Sequence, residues 1–343
     1  MALKIGVIGT GRRGTYHLNR LTQVEKVEVA AVCDILPDAA YKAGQIANTK
    51  VYLDYKEMLS KEKLDGVLVA TPASVHVEPT VLALQAGIAV MCEKPLAWTL
   101  NDALRIVAAA EQTDTICETG YQWRHNPLLA AVKERLGGSG IALVRGLWYH
   151  TVPLVDSIRD VKTGGGQIFD QSTHIVDLAR LFAGDVETLF AAYTLNACTK
   201  ADFDNHDNWD GYALTLHYSS GAVGSFAGTY ALFLGHGEPI VLDIIGREIL
   251  VKFFGSQVVI VTPHGKDELG QAMEGFTAQT DIIGNFLKAI ETGDRSYIKS
   301  PPADSIKTLA ATIGANISAQ SGRLIRPADL IARAQAGEVI AAV

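Results

Sequence analysis

The chain has 343 residues, 48% of them hydrophobic, and carries a formal charge of −7 from 30 basic and 37 acidic side chains. That length and hydrophobic fraction suffice for a large core, suggest two domains and exclude a disordered chain. The acidic balance, with no dense Lys/Arg cluster, excludes a nucleic-acid partner, and the four scattered cysteines (Cys33, Cys92, Cys117 and Cys198) read as reduced buried thiols. Met1 leads straight into a strand pattern without the parts of a signal peptide, and the apolar runs are strand-length, so a cytoplasmic protein without a membrane partner is expected.

Short β-rich runs alternate with helical patterns up to about residue 120. Strands are expected at Leu3–Ile8, Val27–Val32, near Val51, Val67–Ala70, Ala89–Cys92 and Thr115–Glu118. Helices are expected at Thr15–Leu21, Pro37–Ala47, Val75–Gln85 and Leu100–Ala110, the last with Thr99 as N-cap. This alternation predicts a parallel sheet covered by helices on both faces, an α/β Rossmann-type domain over residues 1–121.

Between the first strand and the first helix stands Gly9-Thr-Gly11-Arg-Arg-Gly14. Gly9 permits a tight turn, Gly11 lets the backbone approach a pyrophosphate, and Gly14 lets helix pack closely on strand, so phosphates would meet free N–H groups at the helix start. Asp34 ends the second strand 20 residues beyond Gly14, where a carboxylate accepts the hydroxyls of an adenosine ribose and repels a 2′-phosphate. NAD is therefore the expected cofactor. Arg12 and Arg13, close to the turn, keep NADP open.

From Leu143 to Val261 strand-like runs follow one another through Gly, Asn and Asp turns, which predicts a second, α+β domain over residues 122–343 with an open-faced, mostly antiparallel sheet. Tyr212, Leu214, Leu216 and Tyr218 alternate with Ala213, Thr215 and His217, and Ser219-Ser-Gly221 turns the chain into Ala222–Tyr230. Helices are expected at Asp170–Ala183, Phe276–Glu291 and Pro301–Gln320. So few helices leave one sheet face uncovered, and assembly through that face is the expected consequence.

Three segments carry candidate chemistry: Ala70-Thr-Pro-Ala-Ser-Val-His76, Glu93-Lys94-Pro95, and Gly164-Gly-Gly-Gln-Ile-Phe-Asp170-Gln-Ser-Thr-His174. The first two leave the carboxyl ends of strands, the edge where open α/β sheets bind ligands. Asp170 and His174 are four apart, the spacing of neighbours on one helical face, so the carboxylate would orient the imidazole. Gly164–Gly166 would let the backbone pass close to a ligand. The acidic run Asp202–Asp210 lacks the glycine and distal glutamate of a calcium loop and reads as a solvated turn, and no metal site is expected.

Together with Ala86-Gly87 and the tail residues Phe286, Ala289-Ile290, Gly293, Ala319 and Ser321-Gly322, these segments in this order resemble the Gfo/Idh/MocA oxidoreductases over nearly the whole chain. The resemblance implies a Rossmann domain, an open-sheet domain, and a nicotinamide whose reactive carbon lies between Lys94 and His174. It implies a dehydrogenase for a hydroxyl of a sugar, sugar derivative or cyclitol, with His174 as general acid/base, Lys94 polarising the oxygen and Asp170 fixing the His174 tautomer. The cofactor set would be Gly9, Gly11, Arg12, Arg13, Gly14, Asp34, Thr71, Pro72, His76, Glu93, Lys94 and Gln122. The substrate set would add Trp123, Arg124, Trp148 and His150 to Asp170 and His174. Arg124 could equally pair across domains, and the aromatics could equally pack the core. Ser157-Ile-Arg159-Asp160-Val-Lys162 stands where many relatives carry a Trp. The partners implied are a small carbohydrate or cyclitol and further copies of the chain, as homodimer or homotetramer. Two other classes stay open: an NAD-using glycosidase acting by oxidation, elimination and re-reduction, and a non-catalytic dinucleotide sensor.

Overall fold

In the first part of the chain the apolar runs are continuous rather than alternating, as strands buried on both faces require. The computed structural model describes residues 2–153, 155–198, 206–233, 238–255, 257–271 and 281–343. It contains β1 (Leu3–Ile8), α1 (Arg12–Leu21), β2 (Val27–Cys33), α2 (Pro37–Ala47), β3 (Lys50–Tyr52), α3 (Tyr55–Lys61), β4 (Gly66–Val69), α4 (Val77–Gln85), β5 (Ala89–Cys92), α5 (Leu100–Thr113) and β6 (Cys117–Thr119). The six strands form a parallel sheet in the order β3-β2-β1-β4-β5-β6, with every residue of β4 and β5 buried. Thr99 caps α5 as expected, its hydroxyl accepting the Asp102 N–H at 3.0 Å.

Two compact units emerge: Met1–His125 with Phe276–Ile306, and Asn126–Gly275 with Lys307–Val343. The chain therefore returns to the first unit after the sheet domain, through α11 (Ile282–Thr292). Ile282, Ile283, Phe286 and Leu287 on one face of α11 enter the same core as Ile5, Val7, Leu18 and Met91. Burying a side chain such as Phe286 contributes roughly 2–3 kcal/mol, which explains why so distant a helix belongs there.

The second unit holds α6 (Leu129–Leu136), β7 (Ile141–Thr151), α7 (Asp156–Arg159), α8 (Val161–Gly164), α9 (Gln167–Asp170), α10 (Thr173–Ala183), β8 (Val186–Thr194), β9 (Gly211–Tyr218) and β10 (Val223–Leu232). It continues with β11 (Val241–Gly246), β12 (Ile249–Phe254), β13 (Gln257–Thr262), β14 (Gly265–Gln271), most of α12 (Pro302–Ser321) and α13 (Pro327–Gln335). Its eight strands run in the order β14-β13-β12-β11-β7-β10-β9-β8; β7 and β10 pair in parallel and the other neighbours antiparallel. In β9 the expected alternation appears, Tyr212, Leu214, Leu216 and Tyr218 being buried.

Some boundaries differ from expectation. The helix expected from Asp170 is two helices, α9 and α10, joined by a turn at Gln171 and Ser172. Ser172 is fully buried and its hydroxyl accepts the Tyr212 O–H at 2.7 Å, so a sheet contact holds the break. The helix expected from Val75 starts at Val77 after a 3₁₀ turn over Ala73–Val75. Residues 276–280 of another expected helix, and 202–205 of the acidic run, lie outside the described residues. The rest of that run is not a solvated turn: His206, Asn208 and Asp210 are buried. Asp210 accepts the N–H groups of Asn196, Ala197 and Cys198, and the Asn208 amide donates to the Ile158 carbonyl at 2.7 Å.

Candidate active site

In the first unit every candidate segment leaves the carboxyl end of a strand, around the point where the sheet order reverses between β1 and β4. Gly9 has φ +85°, and a side chain there would sit 2.7 Å from the Ala70 and Thr71 backbone. Gly14 is tighter still, since an added Cβ would fall 1.8 Å from the Gly9 carbonyl oxygen. Gly11 caps α1 with no side-chain hydrogen bond and with open space where a Cβ would stand. The first N–H groups of α1 thus face a clear approach, the condition for anion binding at a helix start.

Asp34 is held by donors from two neighbouring residues. Its Oδ2 accepts the Thr10 N–H at 2.7 Å and the Thr10 hydroxyl at 3.1 Å, and its Oδ1 accepts the Leu36 N–H at 3.0 Å. A groove of about 410 Å³ beside it is lined by Thr10, Gly11, Arg12, Thr15, Ala39, Lys42 and Ala43. The buried Thr71 hydroxyl has no partner among the described residues. This donor set, an orphaned hydroxyl and an unobstructed glycine turn fit a dinucleotide.

Arg13, His76, Glu93 and Gln122, all expected at the cofactor, have protein partners. Arg13 does not point its charge toward a 2′-phosphate; it donates Nε and Nη2 to Glu93 at 3.2 and 3.0 Å and Nη2 to Gln122 at 3.3 Å. His76 is fully buried, with its ring nitrogens 2.7 Å from the Thr71 carbonyl and 3.0 Å from the Pro95 carbonyl. It is a strut between the loops after β4 and β5, and burial lowers its pKa. Lys94 is half-buried and precedes Pro95 through a cis peptide.

Glu93 is almost fully buried. Burial alone would raise its pKa, but the His17 hydrogen bond and the Arg13 charge outweigh it and hold the carboxyl well below the usual range. Arg124, a candidate for substrate, ties the Gln122–His125 turn to the start of α12. Its Nη1 lies 2.5 Å from Asp304 and donates to the Lys299 carbonyl at 3.2 Å. Trp123, in the same turn, is half-buried.

In the second unit the Gly164–Gly166 turn is locked from two sides. A Cβ on Gly166, at φ +89°, would strike the Trp209 ring at 2.8 Å. Asn316 donates to the Gly165 carbonyl at 2.8 Å and accepts the Tyr193 O–H at 2.9 Å. Gln167 donates to the carbonyls of Trp148 and Thr229 at 3.3 Å each, pinning α9 to β7 and β10. These anchors place His174 in the first turn of α10, 8% exposed, with its ring 6.5 Å from the Trp148 ring at a 22° interplanar angle. Asp170, on the preceding helix, is half-buried, and His150 points Nδ1 at the Thr151 carbonyl at 3.1 Å.

Sequence reasoning passed over His17, Gln167, Trp209 and Asn316. Only His17 left a local signal, three residues after Gly14 on the helix the glycine turn opens. All four cysteines are buried and free, and burial pushes the Cys33 and Cys92 thiols up to about 12. Among the described residues no cluster could hold a metal ion and no helix is long and apolar enough to cross a membrane.

Residues 3–121 match the family model of the oxidoreductases with an NAD-binding Rossmann fold, and residues 141–250 match the GFO/IDH/MocA C-terminal domain. The chain belongs to the Gfo/Idh/MocA family. Its residues 3–121 carry that family's NAD-binding Rossmann fold. The rhizopine catabolism protein MocA of Rhizobium meliloti is 32% identical over 195 residues, 56% of this chain and 60% of that one. Myo-inositol 2-dehydrogenase of Thermotoga maritima is 25% identical over 313 residues, 88% of this chain and 91% of its own length. An oxidoreductase from Agrobacterium radiobacter, solved with NAD+, L-tartaric acid and magnesium, shares the fold at a TM-score of 0.81. It is 22% identical, covering 96% of this chain and 100% of its own.

Proposed function

We propose that this Gfo/Idh/MocA protein is an NAD-dependent dehydrogenase that oxidises a ring hydroxyl of a sugar, sugar derivative or cyclitol. The observation that carries the reading is the pair of anchored groups: Lys94 at the carboxyl edge of the parallel sheet, and His174 opening α10 behind a locked glycine turn. The cofactor would accept the hydride from the carbinol carbon. That leaves the protein to remove the hydroxyl proton and to stabilise negative charge on oxygen. His174 takes the proton as general base. Lys94 donates to the same oxygen and stabilises the charge growing there, an effect strengthened where water is excluded. Asp170 orients the imidazole. Trp148 and Trp123 offer ring faces to the C–H side of a pyranose or cyclitol.

A screen of cyclitols, aldoses and glycosides with NAD and NADP, followed by absorbance of reduced nicotinamide and by aglycone release, tests this. Reduced cofactor should accumulate without aglycone. NAD should be preferred over NADP by at least about tenfold in kcat/KM, roughly 1.4 kcal/mol, because the held Asp34 carboxylate meets a 2′-phosphate. Aglycone without net reduction would replace this reading with the glycosidase, and no turnover with any of these compounds would replace it with the sensor.

We also propose that the chain assembles through the open sheet. Val144 and Gly146 of β7 face α10, where a Cβ on Gly146 would meet Ile175 at 3.1 Å. Leu143, Arg145, Leu147 and Tyr149 therefore lie on the other face, with Leu250 and the exposed Phe254 from β12 beside them by register. At its centre Asp243, 3% exposed, pairs with Arg145 at 2.5 Å and Lys252 at 3.6 Å. Sedimentation equilibrium at micromolar concentration should give the mass of two or four chains; a single-chain mass would refute the assembly.

A further inference from the structure

Glu93 gathers two hydrogen-bond partners from one face of α1. Nε2 of His17 lies 2.5 Å from Oε1, and Arg13, four residues earlier, donates to the same oxygen. The second oxygen, Oε2, accepts the main-chain N–H of Lys94 at 3.1 Å. Gly120 makes room for this arrangement, because a Cβ there would fall 2.9 Å from both Oε2 and the Lys94 nitrogen. His17 is 1% exposed, so the contact with Glu93 is a built one rather than a surface encounter.

We propose that His17 is a positioning residue: by donating Nε2–H to the buried Glu93 carboxylate it keeps that group ionised and in place, and so fixes the main chain from which Lys94 reaches the reacting oxygen. The part concerning Lys94 rests on the dehydrogenase reading, while the hold of His17 on Glu93 does not. Other groups face the same carboxylate. Lys94 follows it in the chain, and His76 and Cys92 feel its charge from the turn before α4 and from β5. His17 and Arg13 hydrogen-bond it from another element.

The sign of the effect follows from burial. With His17 present the folded pKa is depressed, so Glu93 stays ionised throughout the working range and would be lost only in strong acid. Without that donor, desolvation pulls the pKa back up and the carboxyl protonates as pH falls. His17→Leu should therefore add an acid limb to the kcat profile, with turnover dropping about tenfold per pH unit below the raised pKa and recovering in alkali. His17→Gln keeps an N–H at the Nε2 position and should restore the wild-type profile to within about threefold. His17→Asn, polar but too short to reach Glu93, should behave like the leucine variant.

Carbon-13 NMR titration of glutamate-labelled free protein reads the Glu93 carboxyl without any substrate. A Glu93 titration shifted upward in His17→Leu and His17→Asn but not in His17→Gln supports the hold; superimposed titrations in all four proteins overturn it. A shifted titration with an unchanged kcat profile overturns the link to Lys94. A failed substrate screen bears on the dehydrogenase reading alone, since the titration stands without it.

Discussion

Lys94→Ala and His174→Ala should each lower kcat by more than about tenfold, and by up to about ten-thousandfold, with the Kd for NAD within about threefold of wild type. The reason is the division of labour in alcohol oxidation. Without an imidazole the proton has no positioned acceptor, and without the ammonium the developing alkoxide loses a charged donor. Neither change should touch the scaffold. Lys94 is half-buried, and α10 stays anchored through Ser172 and the amino end of α9 through Gln167. Stopped-flow measurement of nicotinamide reduction, with NAD binding followed by fluorescence, reads both quantities. Wild-type turnover in either variant would remove that residue from the chemistry.

Gly14→Ala and Gly11→Ala should part company. The Cβ added at Gly14 meets the Gly9 carbonyl oxygen at 1.8 Å, and backbone cannot swing aside as a side chain can. Such overpacking costs about 1–3 kcal/mol, so the melting temperature should fall roughly 2–12 °C and the Kd for NAD should rise about a hundredfold. At Gly11 the added carbon meets nothing within 4 Å and φ is −65°, so the free protein should melt as wild type does. NAD binding should still weaken about tenfold, because the pyrophosphate is what must approach there. Differential scanning calorimetry and titration with NAD separate the two effects. If Gly11→Ala binds NAD like wild type, the cofactor does not cross that turn.

The Rossmann half was largely legible because its signals are local. Continuous apolar runs, glycines at fixed offsets and an acid after the second strand each depend on neighbours a few residues away, and β1, α2, β4 and β5 fall where the pattern puts them to within a residue or two. The helix α13 went unanticipated although Pro327 at its first turn is a start signal. The break between α9 and α10 was not legible at all. Nothing in Asp170-Gln-Ser-Thr-His174 ends a helix locally; the Tyr212 hydroxyl, 40 residues away, holds Ser172 out of one. The acidic run misled for the same reason. Its charges and amides are the marks of a solvated turn, yet Asn208 and Asp210 satisfy distant backbone groups and are buried.

Residue order alone determined the family, the dinucleotide turn, the acid that favours NAD, and the ammonium and imidazole singled out for catalysis, because each rests on spacing along the chain. The tertiary structure decided which of the charged groups are already committed. Arg13 serves Glu93, Arg124 serves Asp304, and His76 braces two loops. A buried charge must find its partner wherever the fold brings one, and those partners lie 80 and 180 residues away, beyond the reach of any local pattern.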